Sequence, residues 1–413
     1  MSGSNMLQVV EQIVPFMEKV DQAMANVAEI EKSSRKRKAA TADLLVKKIC
    51  LLKKVKKALR GKVCTPAVSE AVKNQGKGFW EEVLPHLTDE NFQEIFVLTK
   101  EAFYELAGEI KPYFYAHKAI PVAKKVAIAI YVLRGSYERG QASDLFHISR
   151  SDAESIFVEF CRVVSKFLFL RYLQFPDLKE QLNIAEDFMK LSQFPNTFGS
   201  VGLIHIPIKT PSESAHIYEN KKDFYSMIVL AAVDAKGRFI YLNIQRPGKE
   251  YDAEVYFYSN LSIPLLYNQE KTNPELHVVG RRSLPLEMCL MTPYCKTHFK
   301  SAEEDFREKF FNRRLHNAQI VIDDAFGRLL GRFRIIMSNK KYGVSTMIKI
   351  ITTSVILHNI CEEKAQLHEC RRRKSKLSER PVYPGHLQES RSERPTALEK
   401  RDFLANFLLN YEK

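Results

Sequence analysis

Between residues 32 and 62 the chain sets thirteen lysines and arginines against one acid, Asp43. The run opens on Arg35-Lys36-Arg37-Lys38, continues as pairs at Lys47-Lys48, Lys53-Lys54 and Lys56-Lys57, and ends on Arg60 and Lys62. Charges this dense repel one another, so the stretch is expected to be extended or partly helical in isolation. Its chemistry is electrostatic. Each cation that neutralises a phosphate releases counterions, which gives affinity for a nucleic-acid backbone without sequence selectivity. The same composition reads as a nuclear import signal, which places the protein in the nucleus as well as the cytoplasm. The bland alternative is a solvated, flexible face. Other reactive residue types offer less. Seven cysteines are scattered without a Cys-x-x-Cys pair, and Cys289 and Cys295, six apart, match no zinc spacing. Reduced, mostly buried thiols are expected. His205, His358 and the remaining histidines share no ligand spacing, and a lone strand histidine reads as packed and hydrogen bonded.

The arm holds +12 of the chain's +14, so the rest of its 413 residues is nearly balanced. That length has room for two or three domains. No apolar run approaches the ~18 residues of a membrane span; the best are Met227–Val233 and Ile350–Leu357. No membrane partner is expected, and the N-terminus lacks the pattern of a secretory signal.

Five segments follow from the patterning. Residues 1–31 read as an amphipathic helix on Leu7, Val10, Ile13, Val14 and Met17, interrupted by Pro15. It serves self-association or partner docking, or it is a satellite of the core. Residues 32–75 are the basic arm and linker. Residues 76–175 are helical in pattern, from Phe79-Trp80 through Phe92, Phe96, Phe103 and Leu106 to a helix at Lys124–Leu133. Residues 190–365 form a mixed α/β domain. Its strands are Phe198–Ile208, Met227–Asp234, Phe239–Gln245 and Leu276–Val279, and its helices Asp252–Leu261, Ala318–Leu329 and Val344–Ala365. Residues 366–413 are a basic tail with a short helix near Phe403–Leu409.

Inside the helical region lies a helix-turn-helix candidate. A first helix around Glu138–Leu145 is followed by a turn at Phe146-His147-Ile148 and a second helix from Arg150, opened by a capping box of Ser149 and Asp152. Ala153, Ile156, Phe157, Phe160 and Val164 form an apolar stripe. The positions expected to be exposed are Asp152, Glu154, Ser155 and Glu159, and carboxylates there oppose a phosphate-lined groove. The pattern therefore reads as packing more than as DNA recognition.

Over roughly residues 88–365 the chain resembles the PIF/Harbinger transposases and the host nucleases derived from them. The resemblance is carried by Thr88-Asp89-Glu90-Asn91-Phe92, Ala119-Ile120-Pro121-Val122 and Tyr218-Glu219-Asn220-Lys221-Lys222-Asp223-Phe224-Tyr225-Ser226. Pro247-Gly248 with Asp252, Leu290-Met291-Thr292-Pro293, Ala325-Phe326-Gly327-Arg328-Leu329 and Leu357-His358-Asn359 complete it. It implies an RNase H-like domain in which acids from separate strands and a late helix hold two divalent metals, Mg²⁺ or Mn²⁺, for DNA strand cleavage. It also implies a Myb-like DNA-binding protein as partner.

Carried over position by position, that acidic set is incomplete. Gly202 stands where the family has its first-strand aspartate, and Arg281 where it has a second acid. Asp252 after the Pro-Gly turn and Asp323 ahead of Ala-Phe-Gly remain, with Asp324 beside the latter. A guanidinium near a divalent cation repels it strongly. Asp234 is the best substitute ligand, against the plainer reading of a turn-capping aspartate. Arg281 is expected to pair with Asp252 and Asp323 as a structural ion pair. Three functions follow: a catalytically impaired, nuclear DNA-binding protein, a working metal-dependent endonuclease, or a protein adaptor.

Deleting residues 32–62 is expected to weaken duplex DNA binding steeply and to flatten its salt dependence, measured by fluorescence anisotropy between about 50 and 200 mM salt. Unchanged affinity would favour the adaptor.

Overall fold

The most apolar stretches of the chain become the centre of a mixed sheet. In the computed structural model the described residues are 79–115, 119–135, 139–211, 215–265, 275–295, 301–338, 342–363 and 395–411. The amphipathic helix read over 1–31 and the basic arm at 32–75 lie outside them. The chain divides into two compact units, Met1–Gln75 with Thr210–His216, and Gly76–Lys209 with Ile217–Lys413. The strands and helices below belong to the second.

The helical region contains α1 (Asp89–Phe96), α2 (Lys100–Ile110), α3 (Val122–Arg134), α4 (Arg139–Phe146) and α5 (Arg150–Phe167). Thr88 and Thr99 open the first two as N-caps, their hydroxyls accepting from Asn91 N and Ala102 N. Phe92, Phe96 and Phe103 pack as one aromatic cluster with centroids 4.8–5.6 Å apart. Ser149 caps α5 by accepting from Asp152 N at 3.0 Å. The α4–α5 pair is thus present, and all five residues of the expected stripe are buried. The face opposite is not the open carboxylate face expected. Only Ser155 of the four is exposed; Asp152, Glu154 and Glu159 are half-buried. The reason is that α5 packs against both α3 and the late helix α9, leaving it little free surface.

Helix α6 (Leu178–Ser192), which the hydrophobic pattern did not single out, leads into β1 (Thr197–Pro207) and packs on it. Then come β2 (Ser226–Val233), β3 (Phe239–Pro247), α7 (Asp252–Phe257), β4 (His277–Val279), β5 (Leu290–Met291), α8 (Ala302–Arg332), α9 (Val344–Glu363) and α10 (Pro395–Tyr411). Strand order is β3-β2-β1-β4-β5. The first three strands are antiparallel neighbours, while β4 runs parallel to β1 and to β5. This mixed sheet flanked by helices agrees with an RNase H-like domain. Helix α7 stops at Phe257, short of the expected Leu261, whereas α8 starts sixteen residues before Ala318 and α10 well before Phe403. Each extension carries few apolar residues, so periodicity passes it over. Helix α9 is long and apolar enough to cross a bilayer, contrary to the reading of the apolar runs, but 72% of that stretch is buried inside the fold. It is a core helix.

Several stretches of the family resemblance turn out to be clamps. Asn220 donates to Ser226 Oγ at 2.7 Å, and His205 Nδ1 lies 3.0 Å from the same oxygen. A Cβ on Gly248 would sit 2.1 Å from Ser226 Oγ, so the Pro-Gly glycine is demanded by close approach. At the other end of the sheet, Arg332 Nη1 donates to His358 Nδ1 at 2.9 Å, which leaves His358 Nε2–H to donate to Gly237 O at 3.0 Å. Glu362 accepts from Arg332 at 2.6 Å and from Arg328 at 3.0 Å. Gly237 has φ +82°, and a Cβ there would collide with Arg328. Asn359 Oδ1 accepts from Phe239 N at 2.8 Å, while its amide donates to Phe239 O and Tyr172 O. Of the described cysteines, Cys161, Cys289 and Cys361 are buried and Cys295 is exposed, all unpaired with one another.

Burial, with Arg332 nearby, holds the His358 imidazole well below its usual range; burial and the Lys400 charge do the same for His277. Both stay neutral in the fold, while the unfolded chain takes up protons near pH 6.5. The stability they carry is therefore complete above pH 6.5 and lost as pH falls, by about 1.4 kcal/mol per histidine per pH unit. Urea unfolding from pH 7 to pH 5 should show this decline. His358→Gln, which can keep both hydrogen bonds, should flatten it by about one histidine's share.

Candidate functional site

The pairing of β1 with β4 determines what can meet what. Ser200 lies opposite Val279 in a parallel ladder. Continuing it brings Gly280 and Arg281 level with Val201 and Gly202. Helix α8 crosses both strands there. Ser200 Oγ donates to Gln319 O at 3.3 Å, and the buried Gln319 amide donates to Gly280 O. One turn later, the Arg281 guanidinium donates to the Asp323 carboxylate in an ion pair whose side chains are 23% and 37% exposed.

Three of the four family acidic positions, 202, 281 and 323, are thus gathered by β1, β4 and α8. Of the pairing expected of Arg281 with Asp252 and Asp323, the Asp323 half is present. Gly202 is more than a missing ligand: a Cβ built on it would lie 2.9 Å from Ile322 Cγ1, 3.1 Å from Ile322 Cγ2 and 3.4 Å from Phe326. The space an aspartate would use is closed by Ile322, the residue directly before Asp323. Asp252 opens α7 just beyond the end of β3 and is half-buried, as is Asp324.

Asp234 closes a turn. It is buried, and its carboxylate accepts from Lys236 N at 3.0 Å, Arg238 N at 2.8 Å and Arg238 Nε at 2.6 Å. Those bonds close the β2–β3 hairpin. Register puts that hairpin at the far end of the strands: Met227 pairs with Pro247, near Asp252, while Val233 pairs with Phe239. The length of β2 separates the two ends by roughly 25 Å. These bonds are those of the turn-capping aspartate, the plainer of the two readings of Asp234.

Hard divalent cations need several carboxylate oxygens around one point. Among the described residues no three His, Cys, Asp or Glu side chains are grouped to hold a metal ion. The residues present do not fit the metal pair that the family resemblance implies: one position is filled by apolar carbon, and a guanidinium engages the carboxylate at another. His205 and His358 serve the clamps described above. Ile322 and Gln319 are what sequence reasoning missed. The available signal was a β-branched residue immediately before Asp323, which periodicity alone assigns to the core.

Residues 201–359 match the family profile described as "DDE superfamily endonuclease". The human protein "Putative nuclease HARBI1" is 27% identical over 197 residues, 47% of this chain and 54% of the relative. The Bos taurus protein of the same name matches with the same identity and coverage. "Protein ALP1-like" of Arabidopsis thaliana is 24% identical over 310 residues, 68% of this chain and 73% of the relative. The chain therefore spans about half the length of the mammalian relatives it matches. No solved structure matches it significantly.

Gly202→Asp should create no metal site. It is expected to lower stability by about 1–3 kcal/mol through overpacking against Ile322, with no rise in thermal midpoint on adding Mn²⁺. Combining it with Ile322→Ala should relieve the clash without restoring metal binding while Arg281 remains; a Mn²⁺-dependent rise in midpoint would contradict this.

Proposed function

We propose that this chain, whose residues 201–359 are a DDE superfamily endonuclease domain homologous to Harbinger transposase-derived nucleases, keeps the nuclease fold without two-metal strand cleavage. It acts in the nucleus by holding DNA or chromatin and protein partners. The observation that carries this reading is the Arg281–Asp323 ion pair, formed where the family resemblance expects acids around a metal. The closed space at Gly202 supports it independently.

The reading follows from charge. In a two-metal site, carboxylates hold cations that activate water and stabilise the leaving oxygen. Here one neutralising partner of Asp323 is supplied by the chain itself, and because it is tethered it competes with any metal at a fixed, high local concentration. The ion pair is partly exposed, and such pairs add only about 0–1 kcal/mol to stability. Its consequence is occupancy of the carboxylate. Binding without cutting is then left to electrostatics, for which residues 32–62 have the composition. The family resemblance adds a Myb-like DNA-binding protein as the class of partner.

The deciding measurement is nicking of supercoiled plasmid in Mg²⁺ or Mn²⁺, with the Asp252→Ala/Asp323→Ala chain run alongside. No metal-dependent nicking above that control is expected. Nicking by the native chain that vanishes in the double variant would establish a working endonuclease instead.

A further inference from the structure

One face of the helical region carries its cations outward and its acids inward. It is formed by the last third of α5, the Phe169–Tyr172 turn after it, and residues 109–115 at and beyond the end of α2. Arg162 and Arg171 have side chains 42% and 64% exposed, whereas the carboxylates they engage, Glu159 and Glu109, are 14% and 20% exposed. Glu159 also accepts from Tyr115 N at 3.0 Å, and Glu109 from Tyr172 Oη at 3.2 Å. Lys111 and Lys166, in the same segments, are exposed, and Lys166 Nζ lies 5.5 Å from the Phe167 ring centroid. Between these cations stand aromatic rings that the core does not use. Tyr113 and Phe167 stack with centroids 4.0 Å apart and planes at 11°, each more than a third exposed, and Tyr115, two residues after Tyr113, is 66% exposed.

Stacked, half-solvated rings bordered by cations are costly to leave in water and suit one ligand chemistry. Unpaired bases stack on aromatic faces, and the phosphates between them meet lysine and arginine. Duplex DNA hides its base faces and would use only the cations. A protein partner would use the rings, but the outward charge then demands an acidic one. The near-coplanar ring pair favours bases.

We propose that this surface binds single-stranded nucleic acid, with bases stacking beside Tyr113, Tyr115 and Phe167 and phosphates against Lys111, Lys166 and the two arginines. The surface shares no residue with the Arg281–Asp323 pair or with the sequence of residues 32–62, and it does not depend on whether the chain cuts DNA.

The test uses the full chain and a fluorescein-labelled twenty-nucleotide oligothymidine, with a duplex of equal length as comparison. Tyr113→Ala/Tyr115→Ala should weaken single-strand binding roughly tenfold or more, leave duplex binding within twofold, and leave the salt slope unchanged. Lys111→Ala/Lys166→Ala removes exposed side chains that no core contact needs, so it keeps the test valid should the tyrosine variant fold poorly. It should weaken single-strand binding and reduce the salt slope by about 0.7 per lysine. Photo-cross-linking with an oligonucleotide carrying 5-iodouracil should label the peptide containing residues 111–115. Single-strand affinity within twofold of native in both variants, with cross-links confined elsewhere, would overturn the proposal. So would variant-sensitive binding of a glutamate-rich peptide in place of the oligonucleotide, which would make this a protein-docking face.

Discussion

Arg332, 5% exposed, and Glu362, 12% exposed, hold the two longest helices of the domain to each other. Removing one member of such a pair strands a charge in a low-dielectric interior and costs about 3–5 kcal/mol, well above what the intact pair contributes. The pair also sets the state of its neighbours. Arg332 donates to His358, which obliges that imidazole to stay neutral and to donate from its other nitrogen to Gly237 O. Gly237 can offer its carbonyl there because its φ of +82° turns the backbone in a way that side chains resist, and because the absent Cβ leaves room for Arg328. Asn359, the next residue along, satisfies both backbone groups of Phe239 at the start of β3. Two helices and a hairpin are thereby fixed in one arrangement.

That arrangement determines what lies over the middle of the sheet. With the last turn of α8 anchored at Arg332, the helix can only run back across β1 and β4 in the observed register. Gln319 then bridges the two strands, Ile322 covers Gly202, and Asp323 reaches Arg281. The anchor and the Arg281–Asp323 pair are roughly two and a half turns of helix apart. Buried hydrogen-bonded charge at the hairpin end of the sheet keeps the shape, and the residue types over its middle are free to change. A guanidinium at 281 and apolar carbon against 202 are compatible with the fold for this reason.

The strands of the sheet were legible because a central strand buried on both faces reads as a continuous apolar run. Helix α8 was legible only in its apolar half: its first sixteen residues hold Glu303, Glu304, Asp305, Arg307, Lys309, Arg313 and Arg314, and their helicity comes from the Ser301–Glu304 capping box and from packing with α10. The loss of two acidic positions was also plain from residue types. Asp234 had two readings, and residue types did not choose between them. Its side chain belongs to a turn whose hydrogen bonds depend on Arg238, four residues away, and on a strand register that places it at the end of β2 opposite Asp252.

By itself the sequence determined that the chain carries a local +12 arm, a helical region, a mixed-sheet domain and a depleted acidic set. Each of these rests on composition or on periodicity, which are properties of neighbours along the chain. Only the tertiary structure decided that Arg281 meets Asp323, that Ile322 occupies the space of the first carboxylate, and that the acids of the α5 surface sink while its cations face outward. Those outcomes depend on how α8 registers on the strands and how α5 is wedged between α3 and α9. Register is a balance of packing contacts between segments far apart in sequence, and no local pattern records it.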